Sequence, residues 1–135
     1  MMNRSIELHD SELYAVMQVG TQVIVILSAY LHQSEGEPGR DKGIGGWQSV
    51  ALVFKDGASD ISGEPLDLPL DIWSGKIERN GQLEENMIPL PFSGEGEIIL
   101  RLHLEGDYRV TFRGCQGELV LIGQPDFIEE FPGYE

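Results

Sequence analysis

Between Glu97 and Arg113 the chain alternates. Ile98, Leu100, Leu102 and Leu104 occupy every second position, and Tyr108, Val110 and Phe112 do the same after Glu105-Gly106-Asp107. Two period-two runs joined by three residues that include a glycine predict an antiparallel β-hairpin with one apolar face. Pairing Leu104 with Tyr108 sets the other face: His103 stands opposite Arg109, Arg101 opposite Thr111, and Ile99 opposite Arg113.

The rest of the chain reads in the same idiom. Ile6-Glu7-Leu8-His9 is a short first strand, interrupted by Asp10-Ser11. Leu13 to Val19 is apolar, and Gly20-Thr21 can turn it back. Thr21 to His32 is uncharged and rich in Val and Ile on both faces, which predicts a central strand covered on both sides; a buried helix is the rival reading. Ser34 to Gly46, with its glycines and charges, predicts an irregular loop, either functional or mobile. Trp47 to Lys55 is a strand ended by an Asp56-Gly57 turn, and Ala58 to Ile61 is a short one. Glu64 to Leu70 is extended but too rich in proline for a central strand. Asp71 to Arg79 and Leu83 to Leu90 are strands around an Asn80-Gly81 turn. Gly114 to Gly117 leads to a strand over Glu118 to Ile122. The acidic tail, Gln124 to Glu135, is an edge strand or one helical turn.

About eight to ten short strands, with no repeat, linker or long amphipathic helix, predict an all-β single domain over 1–135. A mostly antiparallel β-sandwich is the preferred architecture, since several strands look one-sided and Thr21 to His32 looks two-sided. A closed β-barrel is the alternative.

The chain has 135 residues, 41% of them hydrophobic, enough for a core without a metal or disulfide. Cys115 is the only cysteine, so no intrachain disulfide forms, which fits a reducing compartment. The N-terminal residues lack a signal peptide's apolar stretch. The longest nearly uncharged apolar run, Val23 to Leu31, is nine residues, short of the ~20 that cross a bilayer as a helix. The expectation is a soluble cytoplasmic protein. Its net charge is −14. Such a surface disfavours nucleic acid and anionic membranes and leaves protein partners or cations open.

Catalytic motifs are missing. Gly43-Ile44-Gly45-Gly46-Trp47-Gln48 has glutamine where a dinucleotide fingerprint needs its third glycine, and Lys42 is followed by Gly43 rather than Ser or Thr. No Gly-x-Ser-x-Gly elbow accompanies Ser11 or Ser34. Arg113 is placed to lower the Cys115 pKa. Acidic pairs such as Glu84-Glu85 and Glu129-Glu130 follow from composition, and nothing selects one for acid–base work.

Three constellations remain. Arg101, His103, Arg109 and Arg113 gather positive charge on the outer face of the hairpin, where Glu118 or Glu7 are the expected acidic neighbours. Trp47 and Trp73 are candidates for stacking on a small ligand or sugar. His9, His32 and Asp41 are a candidate metal set if the first and third strands are neighbours.

The segments Ile6-Glu7-Leu8-His9-Asp10-Ser11, Ala29-Tyr30-Leu31-His32 and Ile88-Pro89-Leu90-Pro91 resemble those of small bacterial all-β proteins of unknown function, some of them similar to immunity-type partners of toxins. The resemblance covers the N-terminal third and one tetrapeptide. It implies a partner-binding role and carries over no catalytic residue.

The expected function is a non-enzymatic protein-interaction module without a cofactor, acting by self-association or by capture of an acidic partner through Arg101, His103, Arg109 and Arg113. A small-ligand or carbohydrate-binding sandwich, with or without a metal, is the alternative. A hydrolase ranks last.

Overall fold

The computed structural model of the chain describes residues 2–62 and 66–133. Among the described residues nine strands form: β1 (Asn3–Val19), β2 (Gln22–Ser34), β3 (Gly43–Lys55), β4 (Ala58–Ser62), β5 (Leu70–Arg79), β6 (Gln82–Glu85), β7 (Met87–Leu90), β8 (Ser93–Leu104) and β9 (Tyr108–Phe131). A 3-10 turn at Glu105–Asp107 joins β8 to β9. No helix among the described residues is long and apolar enough to cross a membrane.

Every pairing is antiparallel. The strands run β6-β5-β8-β9-β3-β2-β1-β7, with β4 against β9. Next to the two ends of this path β1 meets β5, where Glu12 pairs with Asp71 and Leu13 with Leu70. The result is the all-β, sandwich-like fold the alternation predicts, folded over one core and stitched along its open side. The strands are not uniformly short: β9 alone runs for 24 residues. It pairs with β8 and β4 through its first half and with β3 through its second.

The core follows the period of two. Val23, Val25, Leu27, Ala29 and Leu31 of β2 point inward, as do Val50, Leu52 and Phe54 of β3 and Ile98, Leu100, Leu102 and Leu104 of β8. Phe54 stacks on Phe112 with ring centroids 6.3 Å apart. The other face of β2 is only half covered: Ile24 and Ile26 are partly exposed, so the strand is central in the sheet but not fully buried on both sides.

Several local expectations change. Asp10-Ser11 does not end the first strand. It forms a bulge with Asp10 at φ +65°, beyond which β1 resumes pairing with β2 at Glu12–Ser28. The irregular loop is shorter than Ser34 to Gly46, because Gly43 to Gly46 pair with Leu31 to Ser34 as the start of β3. Glycine there serves close approach: Tyr30 of β2 lies across Gly45, and a methyl at that position falls 2.6 Å from Tyr30 Cζ. Leu83 to Leu90 is two strands, broken at Asn86, which adopts φ +63°. Gly114 to Gly117 are part of β9. Up to Phe131 the tail is a strand on its own chain, with Glu129, Glu130 and Phe131 paired to Gly45, Ile44 and Gly43. Glu64 and Pro65 of the expected extended segment, and Tyr134 and Glu135 of the tail, lie outside the described residues.

Candidate functional site

The hairpin register is the one the alternation predicts: Leu104–Tyr108, His103–Arg109, Arg101–Thr111 and Ile99–Arg113 are the observed pairs. On the opposite edge of β8, β5 places Ser74 beside His103 and Lys76 beside Arg101. Two rows of outward side chains result, Ser74–His103–Arg109 and Lys76–Arg101–Thr111. They are concave, and Asn86 and Glu85 help to enclose a groove of about 490 Å³. That volume falls in the range of ligand pockets, roughly 300–1,000 Å³.

The end of the groove is built by Asn86. Its backbone N–H donates to Gly75 O (2.9 Å) and its carbonyl accepts from Leu8 N–H (2.7 Å). Its side-chain Oδ1 accepts from His9 N–H at 2.8 Å. One residue in the left-handed region therefore ties β1 to β5 where β6 gives way to β7. Asparagine tolerates that conformation better than most residues because its amide can bond locally.

The charges of the groove are partly engaged. Arg101 Nη1 donates to Glu78 Oε1 at 3.1 Å. His103 Nε2 is 2.5 Å from Asp107 Oδ1, and Arg109 Nη2 is 3.9 Å from the same oxygen. The hydrogen bond from His103, aided by the charges of His103 and Arg109, holds the Asp107 carboxyl below the usual aspartate range. The expected acidic neighbours, Glu118 and Glu7, are elsewhere: Glu118 pairs with Val53 and Glu7 bonds His32. Lys76 makes no ion pair among the described residues. Exposed pairs of this kind are worth ~0–1 kcal/mol, so a ligand's carboxylate exchanges with Glu78 or Asp107 at little cost.

Arg113 lies one pair further along the hairpin and does not line the groove. Its partner Ile99, placed on the outer row by parity, is only 6% exposed. Trp73 sits at the rim, 47% exposed, with its ring edge-on to His103 at 5.1 Å between centroids. Two sets of residues that the sequence presents separately, the hairpin cations and Trp73, thus adjoin. Trp47 is remote from them in the sheet: it belongs to β3, packs edge-on against Tyr30 (5.5 Å), and does not pair with Trp73.

The candidate metal residues each have a different partner. His9 Nδ1 contacts Trp73 O at 2.7 Å, a bond that raises the imidazole pKa above its ordinary value. His32 is buried with Nε2 2.9 Å from Glu7 Oε1. Asp41 Oδ2 accepts from Glu37 N–H at 2.6 Å. Among the described residues no group of three His, Cys, Asp or Glu is placed to hold a metal ion. Cys115 is exposed on β9, and its thiol donates to Asp56 Oδ2 at 3.1 Å. That bond raises the thiol pKa, opposite to the effect expected of Arg113.

Sequence reasoning missed Lys76, Glu78, Asn86 and Asp107. Asp107 was readable as a turn acid four residues from His103, but the others enter only through the pairing of β5 with β8 and β1. In comparisons with known proteins, the chain matches no family model, no curated protein and no solved structure.

Proposed function

We propose that this protein works by binding, and that the groove over β5, β8 and β9 takes an acidic segment of a protein partner. One observation carries the reading: Lys76, Arg101, His103 and Arg109 converge on a single concave site in a chain of net charge −14. Guanidinium groups favour carboxylates because their planar donors match both oxygens. Ser74, Thr111 and Asn86 supply further polar contacts, and Trp73 at the rim offers an apolar surface for the partner's neighbouring side chain. The site is a surface groove in a sheet, a shape suited to an extended peptide.

A fluorescein-labelled hexaglutamate peptide is the probe. Anisotropy should show saturable binding that weakens with salt, and Arg101→Glu/Arg109→Glu should weaken it by at least about tenfold without lowering thermal stability appreciably. No binding by the wild type, or equal binding by the double variant, refutes the proposal.

A further inference from the structure

The outer face of β1, β2, β3 and β9 carries a second surface, unrelated to the groove. The register aligns Met17–Ile24–Val53–Glu118 in one row and Ala15–Ile26–Ala51–Val120 in the next, with Ile122 opposite Ser49 beyond them. Their inward neighbours, including Val25, Val50, Leu52 and Leu119, form the core, so these side chains point to the outside. Met17, Val120 and Ile122 are 44%, 41% and 46% exposed, and Ile24, Ile26 and Val53 are partly so. Among the described residues, the charged side chains in or next to these rows are Glu118, which ends the first row, and Glu12 and Lys55 at the borders.

An apolar sheet face of roughly 400 Å² is the size of the largest patch a typical single chain exposes, and such patches are often functional. We infer that it is a self-association surface, on which a second copy of this chain stacks face to face. Charge selects that occupant. A partner recognised through a net charge of −14 would be basic and would seat on the acidic surface, whereas this face is neutral and complements itself. Outside the cationic groove the surface of each copy is mostly acidic and repels the other, so this largely uncharged face is where two copies can stack. Size is consistent. Four strands about 4.8 Å apart and about 20 Å of strand length give roughly 400 Å² in projection. Two such faces stacked about 10 Å apart remove on the order of 800 Å² in total, the size of a weak, transient interface. The dimer is therefore expected to be weak and to form only at high protein concentration. Salt strengthens it by screening the repulsion between copies, the reverse of its effect on the groove.

Sedimentation velocity from about 5 to about 500 µM protein, at about 0.05 and 0.5 M NaCl, tests this. The wild-type sedimentation coefficient should rise with concentration, and more steeply at high salt. Ile122→Lys should stay monomeric although it reduces the net negative charge, and Val120→Thr, which keeps a β-branched side chain, should weaken the dimer several-fold. At about 0.5 M NaCl, where the added negative charge is screened, Arg101→Glu/Arg109→Glu should dimerise like the wild type, which separates this surface from the groove. A wild type that remains monomeric throughout, or an Ile122→Lys variant that associates like the wild type, overturns the inference and leaves the face to a different protein.

Discussion

Replacing Gly45 by alanine should destabilise the protein through Tyr30 rather than through its own backbone. Tyr30 on β2 lies over Gly45 on β3 and donates its hydroxyl proton to Glu129 Oε1 on β9 at 2.6 Å. The ring also meets Trp47 and His32 edge-on, with centroids 5.5 Å and 4.8 Å away. A methyl on Gly45 falls 2.6 Å from Cζ and nearer still to ring carbon Cε1, at least about 1 Å short of van der Waals contact. The ring must swing out. It then loses a partly exposed, charge-assisted hydrogen bond worth about 1 kcal/mol and two edge contacts of about 0.5 kcal/mol each. Gly45 does not have a positive φ, so alanine fits the backbone and recovers a few tenths of a kcal/mol from the unfolded chain. The net cost of Gly45→Ala should be about 1.5–2 kcal/mol. In a Tyr30→Ala background the clash is gone, and the same change should cost nearly nothing. Urea denaturation of the four proteins gives the coupling. A coupling below about 0.5 kcal/mol would refute the reasoning, because the penalty would then belong to the glycine itself.

Two further outcomes follow from the same contacts. Burial and the hydrogen bond to Glu129 push the Tyr30 phenol up to about 12 from 10.0, so the folded state favours its protonated form. The stability it contributes is fully present below pH 10.0 and is lost as pH rises through about 12; a phenolate absorbance step near pH 12 after a rapid pH jump should vanish in Tyr30→Phe and shift downward in Glu129→Gln. Neutralising the acceptor of the Cys115 thiol by Asp56→Asn should speed its reaction with a disulfide reagent a few-fold at mildly alkaline pH, since asparagine tolerates the positive φ of that turn while losing the charge that disfavours the thiolate; an unchanged rate would show that the Asp56 charge does not govern the thiol.

The alternation of Ile98 to Phe112 determined the most about this protein. It fixed the hairpin, its register and the identity of its buried row, because side-chain direction in a strand depends only on parity along the chain. The turn residues Asp56-Gly57 and Asn80-Gly81 were equally legible, since their conformational preferences are local. The groove was half legible. Arg101, His103 and Arg109 lie within one hairpin and could be placed on one face from sequence. Lys76 and Trp73 joined them only when β5 paired with β8, and Asn86 only when β1 returned to close the sheet. The Gly43 to Gly46 segment read as loop because glycine has weak strand propensity, yet tertiary packing made it strand by laying Tyr30 across Gly45 and pairing the tail beyond it. The apolar outer face was hidden for a related reason: Ile24, Val53 and Val120 each look like ordinary strand residues, and only the long-range register gathers them on one exposed surface. Period and turn chemistry are properties of neighbouring residues, whereas which strand lies beside which is decided by contacts between residues far apart in the chain.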